Sequence, residues 1–99
     1  MQVSTEQKKK IKGYISIANK AGYLIIGADN LKSYNKKLYL LLADSNSGKN
    51  LLKILDRKNE IPQFVVDNLF EFTGIENCKI VGIRNLGLSN QIIKLIKEQ

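Results

Sequence analysis

The segment Leu38-Tyr39-Leu40-Leu41-Leu42-Ala43 most narrows what this chain can fold into. Six uncharged, largely aliphatic residues in a row do not alternate as a half-exposed strand would. They are also too few for a helix with one wet face. Asp44-Ser45-Asn46-Ser47 then stops the run with turn-forming side chains. A strand apolar on both faces needs a layer on each side. Chains supply those layers by alternating strands with helices, and the remaining sequence reads that way.

Ser4 and Gln7 form a capping-box pair ahead of a helix reaching about Ala21, with Ile11, Tyr14, Ile15 and Ala18 as its apolar stripe. Gly22 stops it. Tyr23 to Ile26 reads as a short buried strand, and a second helix opens at Ala28 or Asp29 and ends near Asn35. The turn Asp44–Ser47 is expected to cap a third helix, about Gly48 to Lys58, whose core face is Leu51, Leu52, Ile54 and Leu55. Ile61 to Val66 is a third strand, with Pro62 tolerated only near its start. Asp67 or Asn68 caps a short helix through Phe72 that Gly74 closes. Lys79 to Ile83 is a fourth strand, and Leu86 to Ser89 leads into a last helix with Ile92, Ile93 and Ile96 facing inward. Residues 1–99 should therefore form one domain of the α/β class, a three-layer α/β/α sandwich on a four-stranded mixed sheet.

Charge and cysteine usage restrict function. Sixteen Lys and Arg oppose nine Asp and Glu, for a net +7. Residues 1–50 hold nine lysines and three acids, a net of +6, whereas residues 51–99 hold seven basic and six acidic groups, a net of +1. A basic half beside a nearly neutral one is the asymmetry of a polyanion binder. With no histidine and a single cysteine, Cys78, the chain lacks a disulfide framework, a Cys/His zinc cluster and Ser-His or Cys-His catalysis. Cys78 beside Ile80–Ile83 reads as a small core residue. The expectation is no metal and no cofactor. No apolar run reaches membrane-spanning length and the N-terminus is polar, so a cytoplasmic, soluble monomer with no membrane partner is expected.

Ser47-Gly48-Lys49-Asn50 fails as a phosphate-binding loop. Ala43 stands where the pattern needs glycine, and Asn50 where it needs a magnesium-binding hydroxyl. Asp29, Asp44 and Asp67 sit at strand-to-helix turns, where Asp is an ordinary cap. No catalytic constellation emerges, so the chain is not expected to be an enzyme. Tyr14, Tyr23, Tyr34 and Tyr39 are not clustered as a base-stacking platform, and Phe64, Phe70 and Phe72 read as packing residues.

Gly27-Ala28-Asp29-Asn30-Leu31-Lys32-Ser33 puts a glycine at a strand end, then a helix mouth with small polar side chains, a surface suited to phosphates and base edges. With it come Ala18-Asn19-Lys20-Ala21-Gly22, the run Leu38 to Asp44, Ile61-Pro62, Leu69 through Ile75, and Lys79 to Leu88. In that order the segments resemble the ribosomal protein family that binds kink-turn RNA, which includes the large-subunit proteins seven-Ae and thirty-e. The likeness is strongest to its short bacterial homologues and spans about Ile11 to Ile96. It implies binding to a structured RNA, ribosomal RNA or the ribosome among them, with the second helix entering a groove at sheared G·A pairs. Carried over by position, Gly27 would allow close backbone approach, and Asp29 and Asn30 would face guanine edges. Ser33 stands where the family has a lysine, whose charge Lys32, Lys36 and Lys37 would replace, and Ile75, Glu76 and Asn77 would cover a flipped-out nucleotide. The chain departs from the family at Asp29, Asn30, Ser33, Phe70 and Glu76. A protein-interaction module on the same fold, docking to a ribosome or ribonucleoprotein, is the alternative; the charge imbalance favours RNA, and Asp29 and Glu76 favour a protein.

Overall fold

The computed structural model describes residues 3–98. Its elements run α1 (Thr5–Lys20), β1 (Leu24–Ile26), α2 (Ala28–Ser33), β2 (Leu40–Asp44), α3 (Lys49–Arg57), β3 (Gln63–Val66), α4 (Phe70–Thr73), β4 (Ile80–Ile83) and α5 (Leu86–Lys97). The strand order is β1-β4-β2-β3. β4 is antiparallel to β1 and to β2, while β2 and β3 are parallel and joined through α3. The sheet is thus four-stranded and mixed, as expected.

β2 is central, and all five of its residues are buried. Leu40 and Leu42 join the core under α1, α4 and α5, with Val81, Ile83, Ile92 and Ile96. Leu41 and Ala43 face the opposite way, with Ile80, under α2 and α3. This alternation builds the three layers. Gly82 on β4 faces α2: a Cβ there would stand 2.7 Å from Leu31 Cδ2 and 3.2 Å from Leu41 Cδ2. The missing side chain lets α2 lie close on the sheet.

The capping box at α1 forms in both directions, between Ser4 and Gln7. Other local expectations change. The β1 segment is a half-buried edge strand rather than a buried one, because β4 pairs with it on one side only. Leu52 is exposed, since Leu51, Ile54 and Leu55 at i, i+3 and i+4 already fill the inward face of α3. α2 stops at Ser33, two residues before Asn35.

Neither α3 nor α4 has a side-chain cap. Gly48 and Leu69 occupy the two cap positions, so Asp67 and Asn68 do not cap α4. Asp44 acts at longer range. Its carboxylate accepts from the Asn46 N–H at 2.8 Å and from the Leu69 N–H at 2.9 Å, tying the end of β2 to the start of α4. Burial pushes the Asp44 carboxyl up, but those two amides, helped by Lys79, outweigh it and hold it below its ordinary 3.8. Cys78 lies in the core as expected, where burial pushes its thiol up.

Strand register sorts the loops onto two ends of the sheet. Ile26, Ala43, Val66 and Ile80 lie at one end, so α2, α3, α4 and the 74–79 loop meet there. Leu24, Leu40, Gln63 and Ile83 lie at the other, with the turns that precede β1, β2 and β3 and the turn that follows β4.

Candidate nucleic-acid interface

Gly27 turns the chain from β1 into α2 with φ 89° and ψ 156°, backbone angles that side chains rarely allow. Its N–H donates to the Ile80 carbonyl at 3.0 Å, and its own carbonyl accepts from Leu31. Nothing lies within 4 Å of where a Cβ would stand. The backbone is bare here, so a ligand can approach it directly.

Asn30 is exposed, but its side chain is already engaged on one side. Nδ2 donates to the Ile26 carbonyl at 2.8 Å. The bonds from Gly27 to Ile80 and from Arg84 to Tyr23 place Tyr23, Ile25 and Gly27 in hydrogen-bonded pairs with β4. Leu24 and Ile26 therefore turn their peptide groups to the outer edge, and Asn30 covers one of those carbonyls. The sequence offers Asn30 as both donor and acceptor; the fold uses one of its two amide N–H groups and so presents Oδ1 in a fixed direction.

Ser33 is bonded back onto its own helix, its hydroxyl 3.3 Å from the carbonyls of Asp29 and Asn30. Asp29 is exposed in the first turn of α2 and makes no cap, because Gly27 holds that position without a side-chain bond. Between β1 and α2 runs a shallow groove of about 410 Å³, lined by Leu24, Ile25, Ile26, Asn30, Ser33 and Tyr34.

The 75–77 loop reaches the same end of the sheet as Gly27, because it leads into Ile80. Glu76 and Asn77 are exposed, with Asn77 in the left-handed region at φ 58°. Ile75 is half-buried against the core, and its N–H donates to Thr73 Oγ1 at 3.1 Å. Ile75 thus anchors the loop while Glu76 and Asn77 form its surface.

The structure places Gly27, Asp29, Asn30, Ile75, Glu76 and Asn77 at one end of the sheet, with α2 on one face and Ile75 packed on the other. It does not bring Lys36 and Lys37 to them. Those lysines lie beyond α2, beside the start of β2, the length of a five-residue strand away, or roughly 17 Å. Lys37 Nζ stands 5.5 Å from the centre of the Tyr39 ring. Lys32 and Ser33, in the last turn of α2, lie between the two groups.

Sequence reasoning also missed a contact beside the loop. Lys12 on α1 stands over the Phe70 ring at 5.9 Å, and its side chain runs along Gly74. Phe70 is 44% exposed rather than a packing residue like Phe72. Residues 12, 70 and 74 meet only through the packing of α1 on α4, so no local pattern announced it.

Lysines dominate the first part of the chain. From Gln7 to Ala43 there are eight lysines and one acid, Asp29. Among the described residues, the ion pair found is Lys8 to Glu71, at 3.4 Å. The other seven lysines of this stretch are exposed.

No family profile and no curated protein matches the sequence. Among solved structures, the chain is similar to a protein with unknown function from Bacillus halodurans C. The two share 26% identity and a TM-score of 0.77, over 90% of this chain and 98% of that one. That likeness and the strand order together define the fold as a three-layer α/β sandwich. No helix among the described residues is long and apolar enough to cross a membrane.

Proposed function

We propose that this protein is a non-enzymatic RNA-binding protein of the cytoplasm that takes a structured, kink-turn-like RNA along α2 and the 75–77 loop. The observation that carries this reading is the set of seven exposed lysines between Gln7 and Ala43, none paired with a carboxylate among the described residues, in a stretch whose one acid is Asp29. Unneutralised like charges repel one another across a small domain, and a polyanion removes that cost. Gly27 and Asn30 supply what charge does not: a bare backbone and an oriented Oδ1 acceptor for base-edge N–H groups.

A gel-shift titration tests the reading, with a standard kink-turn RNA against a control whose G·A pairs are replaced by Watson–Crick pairs. Tight binding to the first alone is expected. Equal weak binding to both would leave only charge attraction and refute motif recognition. No binding to either would favour a protein-docking role on the same fold.

A further inference from the structure

The net charge of this protein is not spread along the RNA path but gathered at one end of the sheet. The segments at the α2-mouth end, residues 4–12, 27–30, 44–49, 67–79 and 97–98, hold seven basic and seven acidic side chains, a net of zero. The segments at the opposite end, residues 20–23, 34–39, 56–62 and 84–86, hold six basic and two acidic side chains, a net of +4. The lysine-rich start of α1 contributes little to the imbalance, because Glu6, Glu71 and Glu98 share its end of the sheet and Lys8 is paired with Glu71.

We infer that the sugar–phosphate backbone of the RNA is held at the end opposite the α2 mouth, by Lys36, Lys37, Lys58 and Arg84. This inference rests on the RNA-binding reading and divides its labour: base edges meet the nearly neutral end, and phosphates meet the basic one. A hollow of about 520 Å³ opens at the basic end, with Lys36, Lys37, Tyr39, Lys58, Pro62 and Leu86 on its wall. Two of its lysines are held in place. Lys58 Nζ donates to the Tyr34 carbonyl at 3.2 Å, and Lys37 lies over Tyr39. Side chains already held lose less rotamer freedom when a phosphate arrives. Glu60 is the carboxylate on the wall, and it is outnumbered there. Lys58 and Arg84 come from distant parts of the chain, and only the β2–β3 and β2–β4 pairings place them beside Lys36 and Lys37.

Two triple variants of equal charge test the placement. One is Lys36→Ala, Lys37→Ala and Arg84→Ala; the other is Lys8→Ala, Lys9→Ala and Lys10→Ala. Each removes three positive charges, so a generic effect of net charge falls equally on both. Affinity for the kink-turn RNA and for its Watson–Crick control is measured from about 50 to 300 mM salt, with circular dichroism confirming the fold. Each phosphate contact contributes about 0.7–0.9 to the log–log slope. The first variant should flatten the slope by about two on both RNAs, and the second by less than about 0.5. An equal or larger flattening by the α1 variant would overturn the inference. Loss of discrimination between the two RNAs by the unmodified protein, with the slopes as expected, would sink motif recognition and leave the phosphate face standing. No RNA binding by the unmodified protein at 50 mM salt would overturn both.

Discussion

Replacing Asp44 by Ala should remove the contact that joins the two sides of the α2-mouth end. The carboxylate accepts two backbone amides, from Asn46 at 2.8 Å and Leu69 at 2.9 Å, in a residue only 6% exposed. The two bonds are not equal in consequence. Asn46 is exposed, so its amide regains water when the carboxylate is gone. Leu69 is 0% exposed, and its N–H would be left buried without an acceptor. A hydrogen bond to a charged group contributes about 1.5–3 kcal/mol, and an orphaned buried donor costs a similar amount. The expected loss is therefore about 2–4 kcal/mol, dominated by Leu69. At about 4–8 °C per kcal/mol for a domain of this size, the midpoint should fall by roughly 10–30 °C. Asp44→Asn keeps one oxygen acceptor and turns an NH2 toward the second amide, so its loss should be smaller.

Urea titrations followed by circular dichroism at pH 7 and at pH 3 would read both magnitude and sign. The folded carboxyl lies below its ordinary 3.8, so its stabilisation is complete above about pH 4 and is lost as pH falls through the folded value. The gap between the unmodified protein and Asp44→Ala must shrink at pH 3. A loss under about 0.5 kcal/mol at pH 7, below what a single charged hydrogen bond contributes, would refute the reasoning. So would a gap that widens in acid.

Gly82→Ala places a methyl 2.7 Å from Leu31 Cδ2 inside a packed layer; overpacking should cost about 1–3 kcal/mol and shift α2, seen as a lower thermal midpoint together with weaker RNA binding. Asn30→Ala should cost the kink-turn RNA about 1–3 kcal/mol and leave the control RNA nearly unchanged, because base readout depends on Oδ1 while non-specific affinity depends on charge. Equal losses on both RNAs would make Asn30 a cover for the Ile26 carbonyl and nothing more. Asp29→Asn should tighten binding to the kink-turn RNA by removing like-charge repulsion at the mouth; an unchanged affinity would show that RNA does not reach the first turn of α2.

Much of the fold was legible because it depends on local patterns. The apolar run from Leu38 marked a strand covered on both faces, and Ser4 with Gln7 marked the start of α1, since a capping box is a bond between residues three apart. Gly74 closes α4 in the left-handed conformation, as a helix-ending glycine does. Local reasoning failed where a partner from elsewhere in the chain decided the outcome. Asp44 read as a cap for the helix that follows it, but the amide of Leu69, 25 residues on, captures its carboxylate. Leu52 read as core because its neighbours are, although three inward residues already fill that face of α3.

By itself, the sequence determined the α/β class, the succession of elements, the surplus of positive charge and the glycine turn between β1 and α2. Each follows from residue type and short spacing, which act before the chain is folded. The tertiary structure decided which of those features meet. Pairing β4 between β1 and β2 carries the 75–77 loop to the end of the sheet where Gly27 lies and puts Arg84 at the same end as Lys36 and Lys37. It also redraws the charge map. The sequence divides into a basic first half and a near-neutral second half. In the folded protein the division runs between the two ends of the sheet, because strand direction, not chain position, assigns each turn its place.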